Sequence, residues 1–413
     1  MNRMISRRHL LKGLVAAASG LGLQKLAKGL GFKVLAQTPD EFVYLPIILK
    51  GATPAPTPTP TATATNTPTA TPTSTPSTSK VVHVHSQDAT YWDFSTGWYG
   101  NYVRQSVVDA MVERGLMELT GASSVQAAWG QLLPHYQSGQ AIAIKVNFNN
   151  AWSCDDSDNA IDALIHPVNA VVRGLKQIGV AEEDIWVYEA MRQIPNRFVN
   201  GCLYPNVQFF ADSCAQYPGW NSSDPNAFVT FSPPSGPTPS SERVPDVLIN
   251  ATYLINMPIM KTHGGAGVTL SFKNHIGTIR RATALLHDYI FPDRSYFSTE
   301  YSPLVDIYQN PHVGAKTILT IGDGLFGAWA GLAAPPLRWT TFGDAASNSL
   351  FFATDPVAID CVMYDFLAAE TTIPQANADS YLSLAADAGL GVFEHGDPWG
   401  SGYSQIDYVK IET

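Results

Sequence analysis

The sequence predicts an α/β domain of three layers, built around a largely parallel sheet and covering residues 80–413. Three observations carry that expectation. Strand-like and helix-like segments alternate along the whole stretch. A mostly apolar run at 247–260 reads as a buried strand. No internal repeat is evident that would point to a solenoid or propeller instead.

In chain order, residues 81–86 (VVHVHS) read as a strand and 102–119 as an amphipathic helix ended by Gly121. Residues 141–149 form a strand of period two. Ile142, Ile144, Val146 and Phe148 face one way; Lys145, Asn147 and Asn149 face the other. A helix at 161–178 stops at Gly179, and a strand follows at 184–189. Residues 191–243 break the rhythm with Pro, Asn, Ser and Tyr, which predicts an irregular insertion with two short strands at 207–210 and 228–231. Alternation resumes with the strand at 247–260, a helix at 268–276, and strands at 317–321 and 350–353. A helix at 356–369 follows, with Asp355 and Pro356 suited to its N-cap and first position. A short helix at 379–388 and a strand at 406–411 close the chain.

The N-terminus reads differently. Residues 1–36 have the form of an export signal: Ser6-Arg7-Arg8-His9-Leu10-Leu11-Lys12 matches the twin-arginine pattern, and a Gly/Ala-rich apolar run follows, too short to span a bilayer. Residues 37–79 hold a brief apolar patch and a Thr/Pro-rich stretch without charge or hydrophobic period, which predicts an extended linker. Together these predict passage through the twin-arginine translocase, an extracellular or envelope location, and a stalk able to associate with the cell surface.

Residues 1–36 hold seven of the chain's 25 Lys/Arg and none of its 35 acidic residues, so the remainder carries a formal charge of −17. So acidic a surface repels phosphate backbones and excludes nucleic acid as a partner. The four cysteines, Cys154, Cys202, Cys214 and Cys361, include no C-x-x-C pair, so no iron–sulfur cluster is expected. Cys202 and Cys214 are close enough in sequence to pair; the alternative is that both stay free.

The stretch that gathers chemistry is 261–277, KTHGGAGVTLSFKNHIG. A buried strand ending in Lys261, Thr262 and His263, then a glycine-rich turn into a helix, is a common way for α/β proteins to build a ligand site. These residues, with Ile144-Lys145-Val146-Asn147, Asp323 in IGDG and Asp355-Pro356-Val357-Ala358-Ile359-Asp360, resemble the ordered landmarks of the domain-of-unknown-function 362 family. The likeness runs from about residue 80 to about 391. It implies no activity, because the family has none assigned; some relatives carry a ferredoxin-like segment whose cysteines are missing here.

The residue types predict a pocket for a small carboxylate or phosphate. Lys261, Lys273 and His263 are the candidate catalytic residues, and Lys145, Asn147, Gly265, Gly267, Thr269 and Asn274 the candidate binding residues. His263, Asp323 and Asp355 form a candidate ligand set for a divalent metal. Asp323, Asp355 and Asp360 are the expected partners for the lysines. The chain thus reads as an exported enzyme acting on a small anion, metal-assisted if that set converges. The alternative is a surface-displayed binding protein without turnover.

Overall fold

The computed structural model describes residues 79–413 apart from 330, 332 and 374, and the side chains of 375 and 376 are not described. The export signal and the Thr/Pro-rich linker therefore lie outside the described residues. The strands are β1 (Ser79–His85), β2 (Ile142–Lys145), β3 (Ile185–Gln193), β4 (Gln208–Ser213), β5 (Phe228–Val229), β6 (Glu242–Arg243), β7 (Tyr253–Asn256), β8 (Ile259–His263), β9 (Gly267–Thr269), β10 (Thr317–Ala328), β11 (Ser349–Ala353) and β12 (Ile406–Glu412). The helices are α1 (Gln105–Thr120), α2 (Val125–Leu132), α3 (Ile165–Gln177), α4 (Asn196–Asn200), α5 (Asp246–Asn250), α6 (Ser271–Asn274), α7 (Ala284–Ile290), α8 (Pro303–Gln309), α9 (Pro356–Glu370) and α10 (Gln375–Asp387).

Among the described residues the main sheet has ten strands, in the order β12-β1-β11-β10-β7-β2-β3-β4, with β8 on β10 and β9 on β8. Only β9 and β11 run against the rest, so the sheet is mixed but mostly parallel. Alternation along each strand divides the core in two. Ile142, Ile144, Ile321 and Phe352 pack with α1, α2 and α3 on one face. Ala143, Leu254, Phe351 and Ala353 pack with α8, α9 and α10 on the other. This is the expected three-layer architecture. Among the described residues no helix is long and apolar enough to cross a membrane.

The topology fixes where a ligand fits. From β2 the chain moves outward to β3 and β4, then returns to lay β7 against the opposite side of β2. That reversal opens a crevice at the carboxyl ends of β2 and β7, where open α/β sheets bind their ligands.

Several expected elements change. The run at 247–260 is not one strand: residues 246–250 form α5, and Pro258, which has no N–H to donate, separates β7 from β8. At that break the chain shifts, so that β7 pairs with both β2 and β10 while β8 pairs with β10 and β9. The segment 191–243 is not wholly an insertion, because β4 joins the main sheet as its edge strand beside β3. Only β5 and β6 form a separate pair. The disulfide joins Cys154 to Cys214, while Cys202 and Cys361 are free thiols. Of the two alternatives for Cys202 and Cys214, neither holds in full: Cys202 stays free, while Cys214 follows the end of β4, where Cys154 from the loop after β2 comes close, although 60 residues separate the two in sequence.

Candidate functional site

The glycine-rich turn closes a β-hairpin rather than opening a helix. Lys261, Thr262 and His263 of β8 pair antiparallel with Thr269, Val268 and Gly267 of β9. Gly267 takes φ +77°, in the left-handed region where glycine carries no Cβ penalty. A Cβ on Gly265 would stand 2.5 Å from the Phe291 ring, so that position admits close approach of α7. The helix begins only at Ser271, and its free N–H groups are already used: Ser271 N donates to Asp360 Oδ1 at 2.7 Å and Phe272 N to Asp360 Oδ2 at 3.1 Å. The expected anion site on this helix N-terminus is therefore corrected. Asp360 occupies it and ties α9 to α6.

Below the crevice lies a closed polar network. Lys145 Nζ, fully buried, donates to Glu189 Oε2 at 2.8 Å, to Val146 O at 2.5 Å and to Asn274 Oδ1 at 3.2 Å. Asn147 Nδ2 also donates to Asn274 Oδ1, and Asn274 Nδ2 donates to Asn256 Oδ1 at 2.7 Å. Asn256 in turn donates to Ser271. The partner of Lys145 is thus Glu189 on the neighbouring strand, not Asp323, Asp355 or Asp360. Burial lowers the Lys145 pKa and the Glu189 carboxylate opposes that drop. With three acceptors on its ammonium, Lys145 orients the asparagines rather than meeting a ligand.

Above this network is a cavity of about 420 Å³, in the range of small-molecule sites. Of the residues singled out in the sequence, Asn147, His263, Thr269, Lys273 and Asn274 line it. Lys145, Lys261, Gly265 and Gly267 are not among its lining residues. Lys261 is buried, with a pKa lowered to about 8 by burial against the pull of Asp162.

Lys273 and Arg192 are the Lys and Arg side chains that line the cavity. Among the described residues Lys273 has no hydrogen-bond or ion-pair partner, and its Nζ lies 6.0 Å from the Phe291 ring centroid. Burial, then the positive charge of Lys261, lowers its pKa to about 8. Arg192, at the end of β3, stacks its guanidinium 4.6 Å from the Trp152 ring, and its buried Nε has no partner. Thr269 Oγ1 is also buried and unpartnered.

Two histidines complete the lining, held by backbone in opposite tautomers. His263 Nδ1 accepts from Gly265 N and Ala266 N, both at 3.1 Å, so its proton sits on Nε2. Burial and the charges of Lys273, Lys261 and His287 hold its pKa down to about 2. His287 Nδ1 lies 2.9 Å from Thr283 O and must donate to it, which leaves Nε2 with a lone pair. Burial and Lys273 lower its pKa as well. His287 and Arg192 carry no signal in the sequence; each sits on an element whose approach to the crevice is set by the fold.

The three residues expected to hold a metal do not come together. Asp323 accepts from Leu164 N and Leu325 N and lies near Tyr99 on another face of β10. Asp355 caps α9 through Val357 N and Ala358 N and accepts from Val392 N. His263, whose free ring nitrogen is protonated, is in the wrong form to ligate a metal. Among the described residues no group of three or more His, Cys, Asp or Glu is arranged to hold a metal ion.

Two solved structures are similar to the chain at low identity. The lactate racemase apoprotein from Thermoanaerobacterium thermosaccharolyticum is 12% identical with a TM-score of 0.39, covering 65% of this chain and 56% of that one. A protein from Thermotoga maritima is 11% identical with a TM-score of 0.32, covering 64% and 58%. The chain thus spans less than two thirds of either structure's length. No curated protein matches the sequence. The model of the family described as "Domain of unknown function (DUF362)" matches residues 142–365, more than half of the 413 residues, and all of the cavity's polar side chains named above lie in that span together with the crevice strands β2, β3, β7 and β8. The chain belongs to the DUF362 family.

Proposed function

We propose that this protein is an exported enzyme that binds a small carboxylate or phosphate in the crevice cavity and moves a proton on it. The observation that carries the reading is a convergence of unmet donors. Lys273, Arg192 and Thr269 all line one cavity, and the Lys273 ammonium, Arg192 Nε and Thr269 Oγ1 have no protein acceptor among the described residues. Buried donors left unmet are costly, and an anion supplies acceptors and opposite charge to all three at once. In a chain of net charge −10, that local excess of positive charge also draws anions to this face.

The histidines supply the chemistry. His287 Nε2 is a proton acceptor near neutral pH. His263 Nε2–H is a fixed hydrogen-bond donor for an oxygen that gains charge. Among the described residues no set of side chains at this cavity fits a metal ion. The twin-arginine motif supports export, and the Cys154–Cys214 disulfide fits an oxidising compartment.

The test is calorimetric titration with propionate and with inorganic phosphate. One of them should bind the wild type, and Lys273→Met should weaken binding by roughly 10- to 100-fold, as expected for a charged hydrogen bond. Binding unchanged in that variant would refute the site. Chemistry is then read by incubating the ligand in deuterated water; a ligand recovered without exchange would favour the pure binding protein.

A further inference from the structure

Lys273 differs from the buried Lys145 in what surrounds its nitrogen. Lys145 is enclosed by three acceptors, including a carboxylate. Lys273 faces a cavity with an aromatic ring on one side and no carboxylate bonded to it. We propose that Lys273 is a nucleophile that condenses with the carbonyl carbon of a small α-oxo acid bound in the cavity. The inference rests on the reading of the cavity as an anion site and names the class of anion.

The groups around Lys273 match what such a substrate needs. Arg192 faces the carboxylate. Thr269 Oγ1 and His263 Nε2–H are donors for the carbonyl oxygen. His287 Nε2 is the acceptor for a proton in transit. A lysine that is desolvated and set beside a second cation is the usual form of an amine nucleophile, because its neutral form is populated near neutral pH. Burial and Lys261 both act on Lys273 in that sense.

The step balances without any further reagent. The amine lone pair forms a C–N bond to the carbonyl carbon as the C=O π pair moves to oxygen. A proton passes from nitrogen to that oxygen, giving a carbinolamine. The Lys273 ammonium gives up a proton to His287 Nε2 before the attack; the carbinolamine oxygen takes that proton back from His287 and leaves as water, and the iminium that remains keeps one positive charge in the cavity. The charge that balanced the carboxylate before the reaction is therefore still present after it.

The experiment is reductive trapping of the full chain with pyruvate and borohydride, read by peptide mass mapping, beside calorimetric titration with propionate, a carboxylate that has no carbonyl. The expected result is one reduced adduct on Lys273, lost in Lys273→Arg and suppressed by excess propionate, with Lys145 unmodified. His287→Asn should slow trapping several-fold without abolishing it. The mapping of the wild-type adduct needs no variant, so it stands even if Lys273→Arg folds poorly. Propionate binding without any adduct on Lys273 would overturn the imine and leave the anion site intact. Neither binding nor adduct would overturn both. Adducts scattered over exposed lysines and insensitive to propionate would also overturn the imine.

Discussion

His263 and His287 border one cavity in opposite tautomers: His263 accepts two backbone N–H groups on Nδ1, and His287 donates from Nδ1 to Thr283 O. The backbone alone thus decides that one ring offers a proton and the other a lone pair. Nitrogen-15 NMR of the imidazoles should show His263 protonated on Nε2 and His287 on Nδ1. His263 should stay neutral throughout pH 4 to 8, since its pKa is held down to about 2. A His263 that titrates near the ordinary value of about 6.5 would contradict the assignment.

The Lys145–Glu189 pair is the support on which the cavity floor rests. Both side chains are buried, and removing one leaves the other charge without its counterion. Lys145→Met should cost about 3–5 kcal/mol in denaturant unfolding, and Glu189→Gln a similar amount. The double variant Lys145→Met/Glu189→Leu should recover much of that loss. Single variants within about 0.5 kcal/mol of wild type would show that the pair is solvated.

Lys273 should show the opposite behaviour, because its charge is buried without a counterion among the described residues. Its folded pKa of about 8 lies below the ordinary 10.5. Below pH 8 the amine is charged in both states, so the folded state carries the full penalty of burying that charge. Between pH 8 and 10.5 the folded protein releases the proton first, and the penalty fades; above 10.5 it is gone. Lys273→Met should therefore stabilise the ligand-free protein at pH 7 by about 1–3 kcal/mol, and by much less at pH 10.5. A destabilisation equal at both pH values would mean that the ammonium is held by protein acceptors.

Much of the layered architecture was legible because periodicity reports burial. The two-residue alternation at Ile142, Ile144 and Lys145 marks both faces of β2, and Asp355-Pro356 marks the start of α9. What was not legible depended on contacts between distant segments. Glu189 is an ordinary carboxylate in sequence, and only the pairing of β2 with β3 sets it against Lys145. Asp360 looked like a lysine partner, but the packing of α9 on α6 turns it into a cap. The glycines at 264–267 fit a turn into a helix as well as a hairpin, and local residues alone do not choose between them. His287 and Arg192 lie outside the motif and reach the cavity through α7 and β3. The cavity's place beside 261–277 was therefore readable, while several of the residues that line it came from elsewhere.

The central claim is that a bound anion meets Lys273. At pH 8 the empty cavity holds Lys273 close to half protonated, and an anion beside it raises its pKa, so binding must take up a proton. Titrating propionate at pH 8 in two buffers of different ionisation enthalpy measures that uptake. The account predicts roughly half a proton per bound anion for the wild type and none for Lys273→Met. Binding with no buffer dependence, or with the same uptake in both proteins, would contradict it.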